Sequence, residues 1–235
     1  MDVNAKFLRE EVGFADNDTA LGRFIVRYPQ CLCLRVETTL TRRVEYLRSL
    51  GLKKEVVRTV VDLTPEILEE SVEATLQKKV DVLKDWGLES EEDIARIISK
   101  APAFFSADLS EHLNWLSSIG LDDEQVAKVV RNLPAVLIYS VPTNLAPKWE
   151  YLSNVMGGTV DDLVNIPSFF GYNLEQRIMP RFAFVGSKGL RDTLTVPEIL
   201  NNTDKEFCEA TGLSYEEYRV FEQTGGSLLF HTPLL

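Results

Sequence analysis

Basic side chains recur at one position of a repeated pattern, and their type and spacing point to chemistry. Each copy of the pattern contains a long helix-like segment, and we align these segments on their last leucine or valine. The residue four places before that leucine or valine is a lysine, an arginine or a histidine in every copy. The series is Arg43, Lys79, His112, Lys148 and Arg181. Point charges spaced along a line can neutralise the phosphates of a nucleic-acid backbone. The series therefore predicts a surface that binds a polyanion.

Further bases accompany this series. Three of them lie beside it: Arg42, Lys78 and Arg177. A second, less regular series stands six residues before recurring prolines: Arg23, Arg96 and Lys128. Thr59 and Asp161 interrupt that second series. His112 is the weakest member of the first series, because an unperturbed imidazole is mostly neutral at pH 7.

A structural role is the alternative for each of these bases. A lysine or arginine stem can lie over apolar neighbours while its head group stays in water, or it can pair with acids such as Glu45 or Asp81. Aromatic residues near the series leave the same two choices open: they could stack on exposed bases or pack in the core. They are Trp115, Trp149, Tyr151 and Phe182.

Helical repeats must position these side chains. Prolines open five similar units about 32 to 37 residues apart, a spacing typical of solenoid repeats. They are Pro29, Pro65, Pro102, Pro134 and Pro167. An apolar pair follows each proline, for example Phe104 and Phe105, and next comes a helical run that stops at a glycine such as Gly87. Glycine suits the left-handed position that ends a helix.

A second helix completes each unit. Its first turn is acidic, where carboxylates cap free amides, and the following proline ends it. Such a helix pair cannot cover its own apolar face, so neighbouring units must stack. We therefore predict an all-α superhelical solenoid of about five repeats over residues 29–186, forming one domain. Residues 1–28 form an N-terminal cap, residues 187–224 a degenerate terminal repeat and residues 225–235 an apolar tail.

The charge and residue composition of the chain argue for some classes of function and against others. The chain has 235 residues and a formal net charge of −11, which by itself argues against a polyanionic partner. If the acids lie at helix starts and the bases along one series, the negative net charge is compatible with a polyanionic partner. Three cysteines and two histidines favour neither a disulfide framework nor a His-based metal centre. We find no catalytic motif and predict no enzyme and no cofactor. No apolar run is long enough to cross a membrane.

The order of parts resembles the mitochondrial transcription termination factor (mTERF) family. The resemblance rests on the PEIL-type openings at the five prolines, on the glycine-leucine junctions and on RIMPRFAFV from Arg177. It implies a half-doughnut of three-helix repeats with a positive concave side, acting on nucleic acid in mitochondria or chloroplasts. Family precursors carry a transit peptide, and the acidic start MDVNAKFLREE has no such character, so we expect a mature or trimmed form.

Two functions remain open on the sequence. The first is a non-catalytic protein that binds double-stranded DNA or structured RNA through the basic series and regulates transcription or its termination. The second is a protein-interaction scaffold or ribosome-assembly factor of the same fold. The apolar tail would then dock on a protein partner, although packing on the last repeat is its simpler role. DNA and RNA are not distinguished, because no base-reading set is visible.

Overall fold

Helices account for all the regular structure in the described residues. The computed structural model describes residues 3–14, 18–191 and 193–224, and no strand occurs in these ranges. The all-α prediction is confirmed. The chain divides into two compact units, residues 1–138 and 139–235, and each is described by itself. No helix in the described part of the chain is long and apolar enough to span a bilayer.

The α-helices are short, mostly two to three turns. In the first unit they are α1 (Val3–Phe7), α2 (Asp18–Arg27), α3 (Thr41–Ser49), α4 (Lys54–Leu63), α5 (Gln77–Asp85), α6 (Glu91–Lys100), α7 (Leu109–Ser118) and α8 (Asp123–Asn132). In the second unit they are α9 (Ala146–Asn154), α10 (Val160–Asn165), α11 (Met179–Ser187), α12 (Val196–Leu200), α13 (Asp204–Thr211) and α14 (Tyr215–Gln223).

Each of the five recurring prolines opens a short 3-10 helix. Proline fits the first helical position because its fixed φ suits a helix and the N–H it lacks would have no partner there. We call these segments the proline turns: Pro29–Cys33, Pro65–Leu68, Pro102–Ser106, Pro134–Leu137 and Pro167–Gly171. The last carbonyls of such a turn have no amide partner within it. This property governs the site described below.

A π-helical turn leads into four of the five long helices. These turns are Val36–Leu40, Val72–Leu76, Val141–Leu145 and Leu174–Ile178, and they run into α3, α5, α9 and α11. The third repeat has none, and α7 begins directly after its cap Asp108. The start of the long helix, where the basic series lies, is therefore built differently in that repeat.

Glycines and polar caps set the helix boundaries as predicted. Gly51, Gly87, Gly120 and Gly157 follow the long helices and have positive φ. Three of the second helices, α6, α8 and α10, begin at side-chain caps. Asp122 accepts from the Gln125 amide at 2.8 Å while the Gln125 side chain accepts from the Asp122 amide, which is a reciprocal capping box.

The apolar pair after each proline supplies much of the core. Phe104, Phe105, Phe169 and Phe170 are at most 1% exposed, which confirms that they are core residues. Fully burying one such ring stabilises the fold by roughly 1.5–3 kcal/mol. In the first unit, α4 packs on the proline turns at 65–68 and 102–106, and α6 packs on those at 102–106 and 134–137. These two second helices, α4 and α6, thus each join two successive turns.

The predicted terminal regions are partly described. Residues 3–14 and 18–27 hold α1, a π-helical turn and α2, while α12 to α14 lie within the predicted terminal repeat. The apolar tail, 225–235, lies outside the described residues. The predicted repeat boundaries stay a prediction.

Candidate nucleic-acid interface

The basic series occupies one structural position, near the start of the long helix of each repeat. Arg43 lies on α3, Lys79 on α5, His112 on α7, Lys148 on α9 and Arg181 on α11. Equivalent sequence positions therefore occupy equivalent helices. The surroundings of each head group decide what it can bind.

In the first unit, Arg43 and Lys79 reach forward to the next proline turn. Arg43 donates from Nε to the Glu70 carbonyl at 2.9 Å and from Nη2 to the Glu69 carbonyl at 3.4 Å. The ammonium of Lys79 donates to the carbonyls of Phe105 and, at 3.2 Å, Ala107. Both side chains are half-buried. Burial lowers the pKa of Arg43, and the neighbouring charge of Arg42 acts in the same direction.

In the second unit the same contacts are more buried. Lys148 is 6% exposed and donates to the Phe170 carbonyl at 2.6 Å and to Asn144 Oδ1 at 2.8 Å. Burial lowers its pKa. Arg181 is completely buried, and its Nη1 donates to the Ile199 carbonyl at 2.9 Å.

Arg181 also binds a carboxylate. Its Nε and Nη2 donate to Asp204 Oδ1 at 3.1 and 2.7 Å, and its guanidinium lies 4.9 Å from the centre of the Phe207 ring. Arg181 thus connects α11 to both α12 and α13. These partners compensate for the removal of its charge from water.

One rule describes these four cations. Arg43, Lys79 and Lys148 reach main-chain oxygens at or just after the end of the proline turn that follows. Arg181 reaches an oxygen of α12, whose second residue is a proline. The carbonyl end of a helix is partly negative and short of donors, so a lysine or arginine is a suitable partner. We call this contact the clasp, made by Arg43, Lys79, Lys148 and Arg181.

His112 is the histidine of the series. It is 7% exposed, and its Nδ1 lies 2.7 Å from the carbonyl oxygen of Asp108, the cap of its own helix. In the other repeats a π-helical turn precedes the corresponding helix position. Arg43 and Lys148 make a similar contact four residues back, to the Thr39 carbonyl at 3.3 Å and to Asn144 Oδ1 at 2.8 Å.

The three neighbouring bases divide into two kinds. Arg42 is exposed and pairs with the equally exposed Glu73, while Lys78 is exposed on α5. Arg177 instead donates to the carbonyls of Leu200 at 2.8 Å and Asn202 at 2.7 Å. Burial lowers the pKa of Arg177, and the Arg181 charge contributes.

Two of the eight predicted residues, Arg42 and Lys78, therefore present exposed head groups. The expectation that the whole series lines one surface is wrong for His112, Lys148 and Arg181, which are nine-tenths or more buried. The head groups of Lys148 and Arg181 point to backbone oxygens near helix ends that lack amide partners, and the His112 ring lies against the Asp108 carbonyl. A role in nucleic-acid binding stays a prediction for the whole set.

The second basic series is exposed throughout. Arg23 on α2, Arg96 on α6 and Lys128 on α8 all belong to the first unit. Arg96 pairs with Asp93 at 2.7 Å on the same helix. Surface pairs of this kind contribute little to stability, so a phosphate can replace the carboxylate at small cost.

Comparison with known proteins identifies the repeats. The family model described as mTERF matches residues 4–208. The chain belongs to the mTERF family. Membership gives it the helical-repeat solenoid fold class of that family, as predicted from the sequence.

Curated relatives of this mTERF chain carry organellar names. "Transcription termination factor MTERF4, chloroplastic" of Zea mays is 32% identical over 123 residues, which is 51% of this chain and 24% of the relative. "Transcription termination factor MTERF8, chloroplastic" of Arabidopsis thaliana is 29% identical over 211 residues, 89% of this chain and 41% of the relative. "Transcription termination factor MTERF15, mitochondrial" of the same plant is 24% identical over 160 residues, 68% and 35%. The chain thus spans less than half of these relatives.

Aromatic residues near the basic series of this mTERF chain are largely packed. Phe182 is 5% exposed and meets Tyr151 edge-on, with ring centres 6.2 Å apart. Burial raises the pKa of Tyr151 to about 12. Trp115 and Trp149 are half-buried. Core packing, the alternative left open by the sequence, agrees with these positions.

No group of three metal-ligating side chains is found within the described ranges of this mTERF chain.

Sequence reasoning missed the hydrogen-bond partners of the basic series. The acceptors are backbone oxygens, which no residue type marks, and they come from the next repeat. One signal pointed to Asp204: it stands in the first turn of a helix that follows a proline-opened segment.

Proposed function

We propose that this mTERF chain binds double-stranded DNA or structured RNA through exposed bases of its first unit. By that binding it regulates transcription or its termination in a chloroplast or mitochondrion, without catalysis. Family membership and the organellar names of its relatives support this role. Direct contact is assigned to exposed cations, which can exchange water or a surface carboxylate for phosphate.

The observation that carries the proposal is a set of five exposed bases at two recurring positions of the repeats, one of which Thr59 interrupts. They are Arg23, Arg42, Lys78, Arg96 and Lys128. All five lie within residues 1–138, on α2, α3, α5, α6 and α8. Repetition at fixed positions spaces charges regularly, and a phosphate backbone is a regularly spaced polyanion.

The negative net charge is compatible with this assignment, because many acids are committed to helix starts. The Asp122 side chain caps α8, and Asp162 accepts from the amide of Thr159 at 2.8 Å. Carboxylates in these places complement the positive helix ends. The acids are thereby concentrated at the beginnings of the second helices, while Arg96 and Lys128 lie further along them.

Salt dependence tests the proposal. Five phosphate contacts predict that log K for duplex DNA falls against log salt with a slope of about −4.5, from about −0.9 for each phosphate. Replacing Arg42 and Lys78 with glutamine should reduce the slope by about 1.8 and weaken binding to all sequences. Lys205→Gln removes the same kind of exposed charge from α13 and serves as the control, with an unchanged slope.

Two results would count against the proposal. Binding that is indifferent to salt between about 50 and 200 mM would exclude a phosphate-based interface. Equal effects of the double variant and Lys205→Gln would show that net charge matters rather than these positions. A slope near −2 or −3 would mean that only one of the two exposed series engages the nucleic acid.

A protein-interaction scaffold is the second candidate, and a groove in the second unit favours it. Phe184, Val220 and Phe221 line an open, mainly apolar groove of ≈ 470 Å³, and Val220 is 58% exposed. If this groove binds a protein, Val220→Asp should abolish recovery of a partner from nuclease-treated organelle extract. Val26→Asp, the same change at a site that is 84% exposed in the first unit, should leave recovery intact. Equal recovery with both variants would remove this candidate.

A further inference from the structure

We infer that Arg43, Lys79, Lys148 and Arg181 are positioning residues, which hold their repeats to the proline-opened segment that follows, and that Arg43 and Lys79 leave phosphate contact to the exposed base directly before each of them. The assignment of phosphate contact to Arg42 and Lys78 rests on the proposed function. The part of the four clasp residues in joining repeats rests on the clasp geometry alone. Residues chosen by position as phosphate ligands thus join successive elements of the fold instead.

The acceptors carry the first step of the inference. The clasp ends on carbonyls of Glu70, Phe105, Phe170 and Ile199, whose side chains include a carboxylate, two aromatic rings and an aliphatic chain. What these groups share is a main-chain oxygen near the end of a short helix, where amide partners run out. A cation from the preceding long helix supplies the missing donors. The contact therefore depends on backbone position and on a basic side chain, and both arginine and lysine satisfy it.

Burial carries the second step. Arg181 is fully buried and Lys148 nearly so, and in each case the hydrogen bonds run to groups of the same unit. A phosphate could reach such a head group only after the clasp opened, which would leave carbonyls and a cation without partners. Unpaired buried polar groups are expensive. The clasp is therefore the better use of these charges.

The exposed neighbours carry the third step. Arg42 and Lys78 directly precede Arg43 and Lys79, and successive residues point about 100° apart around a helix. With Arg43 and Lys79 tied to the following repeat, the side chain before each is held on the outer side, and both Arg42 and Lys78 are exposed. Adjacent bases thus have different roles: Arg43 and Lys79 join repeats, and the base before each of them faces solvent.

Lys78 and Lys79 provide a matched test, because they are the same residue type on the same helix. Hydrogen exchange of the peptide covering residues 102–110 reports on the clasp, and the salt slope of DNA binding reports on phosphate contact. Lys79→Met should speed exchange in that peptide by roughly tenfold or more and leave the slope unchanged. Lys78→Met should leave exchange unchanged and reduce the slope by about 0.9. Lys79→Arg should restore slow exchange, since Arg43 makes the same contact.

The opposite pattern overturns the inference. If Lys79→Met reduces the slope as much as Lys78→Met and exchange at 102–110 stays at the wild-type rate, Lys79 contacts phosphate directly. If wild-type protein shows no salt-dependent binding, the proposed function fails, and the exchange comparison still decides the clasp. Should Lys79→Met not fold, Lys79→Gln replaces it in both measurements, since it removes the charge and keeps a donor.

Discussion

Replacing Arg181 with methionine should destabilise the second unit by about 3 kcal/mol. Arg181 makes three hydrogen bonds, two to Asp204 and one to the Ile199 carbonyl, from a completely buried position. Removing one member of a buried pair costs about 3–5 kcal/mol. The side chain of Asp204 is 47% exposed, so water can solvate it after the change, which places the cost at the lower end.

Urea denaturation followed by tryptophan fluorescence measures this loss. The chain has three tryptophans, at 86, 115 and 149, and only Trp149 belongs to the second unit. Replacing the other two with phenylalanine makes Trp149 the reporter for that unit. Arg181→Lys is the control: it keeps the charge and loses the planar fork, so we expect about half the loss.

The reasoning would be refuted by a loss below about 0.5 kcal/mol, the size expected for an ordinary surface change. Such a result, combined with weaker DNA binding and a reduced salt slope, would return Arg181 to the nucleic-acid interface. A large loss in unfolding free energy for Arg181→Met, with about half that loss for Arg181→Lys, would support its place between α11, α12 and α13.

Two further predictions concern single positions in the first unit. Gly87→Ala should lower the free energy of unfolding by about 1–2 kcal/mol, because φ is +78° there and an alanine is strained in that left-handed conformation. The added methyl group would meet no neighbour, so the backbone conformation alone causes the loss. Gly22→Ala, inside α2 and equally open, should raise it by about 0.5–1 kcal/mol, and thermal melts giving both changes the same sign would contradict this. Glu70→Gln should stabilise the protein at neutral pH and lose this advantage towards pH 4. Burial raises the pKa of Glu70 above 4.5, and Glu66 adds to this while Lys79 opposes it, so wild-type stability falls as pH rises through the folded-state pKa. Melts at a series of pH values test this, and a pH-independent difference between the two proteins would refute it.

Local rules made much of the fold predictable from sequence. Proline at the start of a turn, glycine at the end of a helix and Asp122 before an acidic first turn each act within a few residues of themselves. The apolar pair Phe104 and Phe105 could be assigned to the core because helical repeats must bury such residues to stack. The π-helical turns could not be predicted, because no residue type marks them.

The candidate site was less predictable, because its bonds join distant parts of the chain. Arg43 and the Glu70 carbonyl are 27 residues apart, and Lys148 and the Phe170 carbonyl are 22 apart. Alignment of the repeats correctly placed the cations at one position. It could not show whether a flexible head group turns to solvent or to a backbone oxygen.

The sequence by itself determined the all-α repeat, the residues that begin and end its helices, and the family, since these follow from residue type and short spacing. Only the tertiary structure decided which bases remain exposed. The ends of the proline turns present carbonyls without amide partners, and stacking brings them against the preceding long helix. A cation placed there gains more from those oxygens than from water, whereas Arg42 and Lys78, one residue earlier, have no such acceptor and face outward.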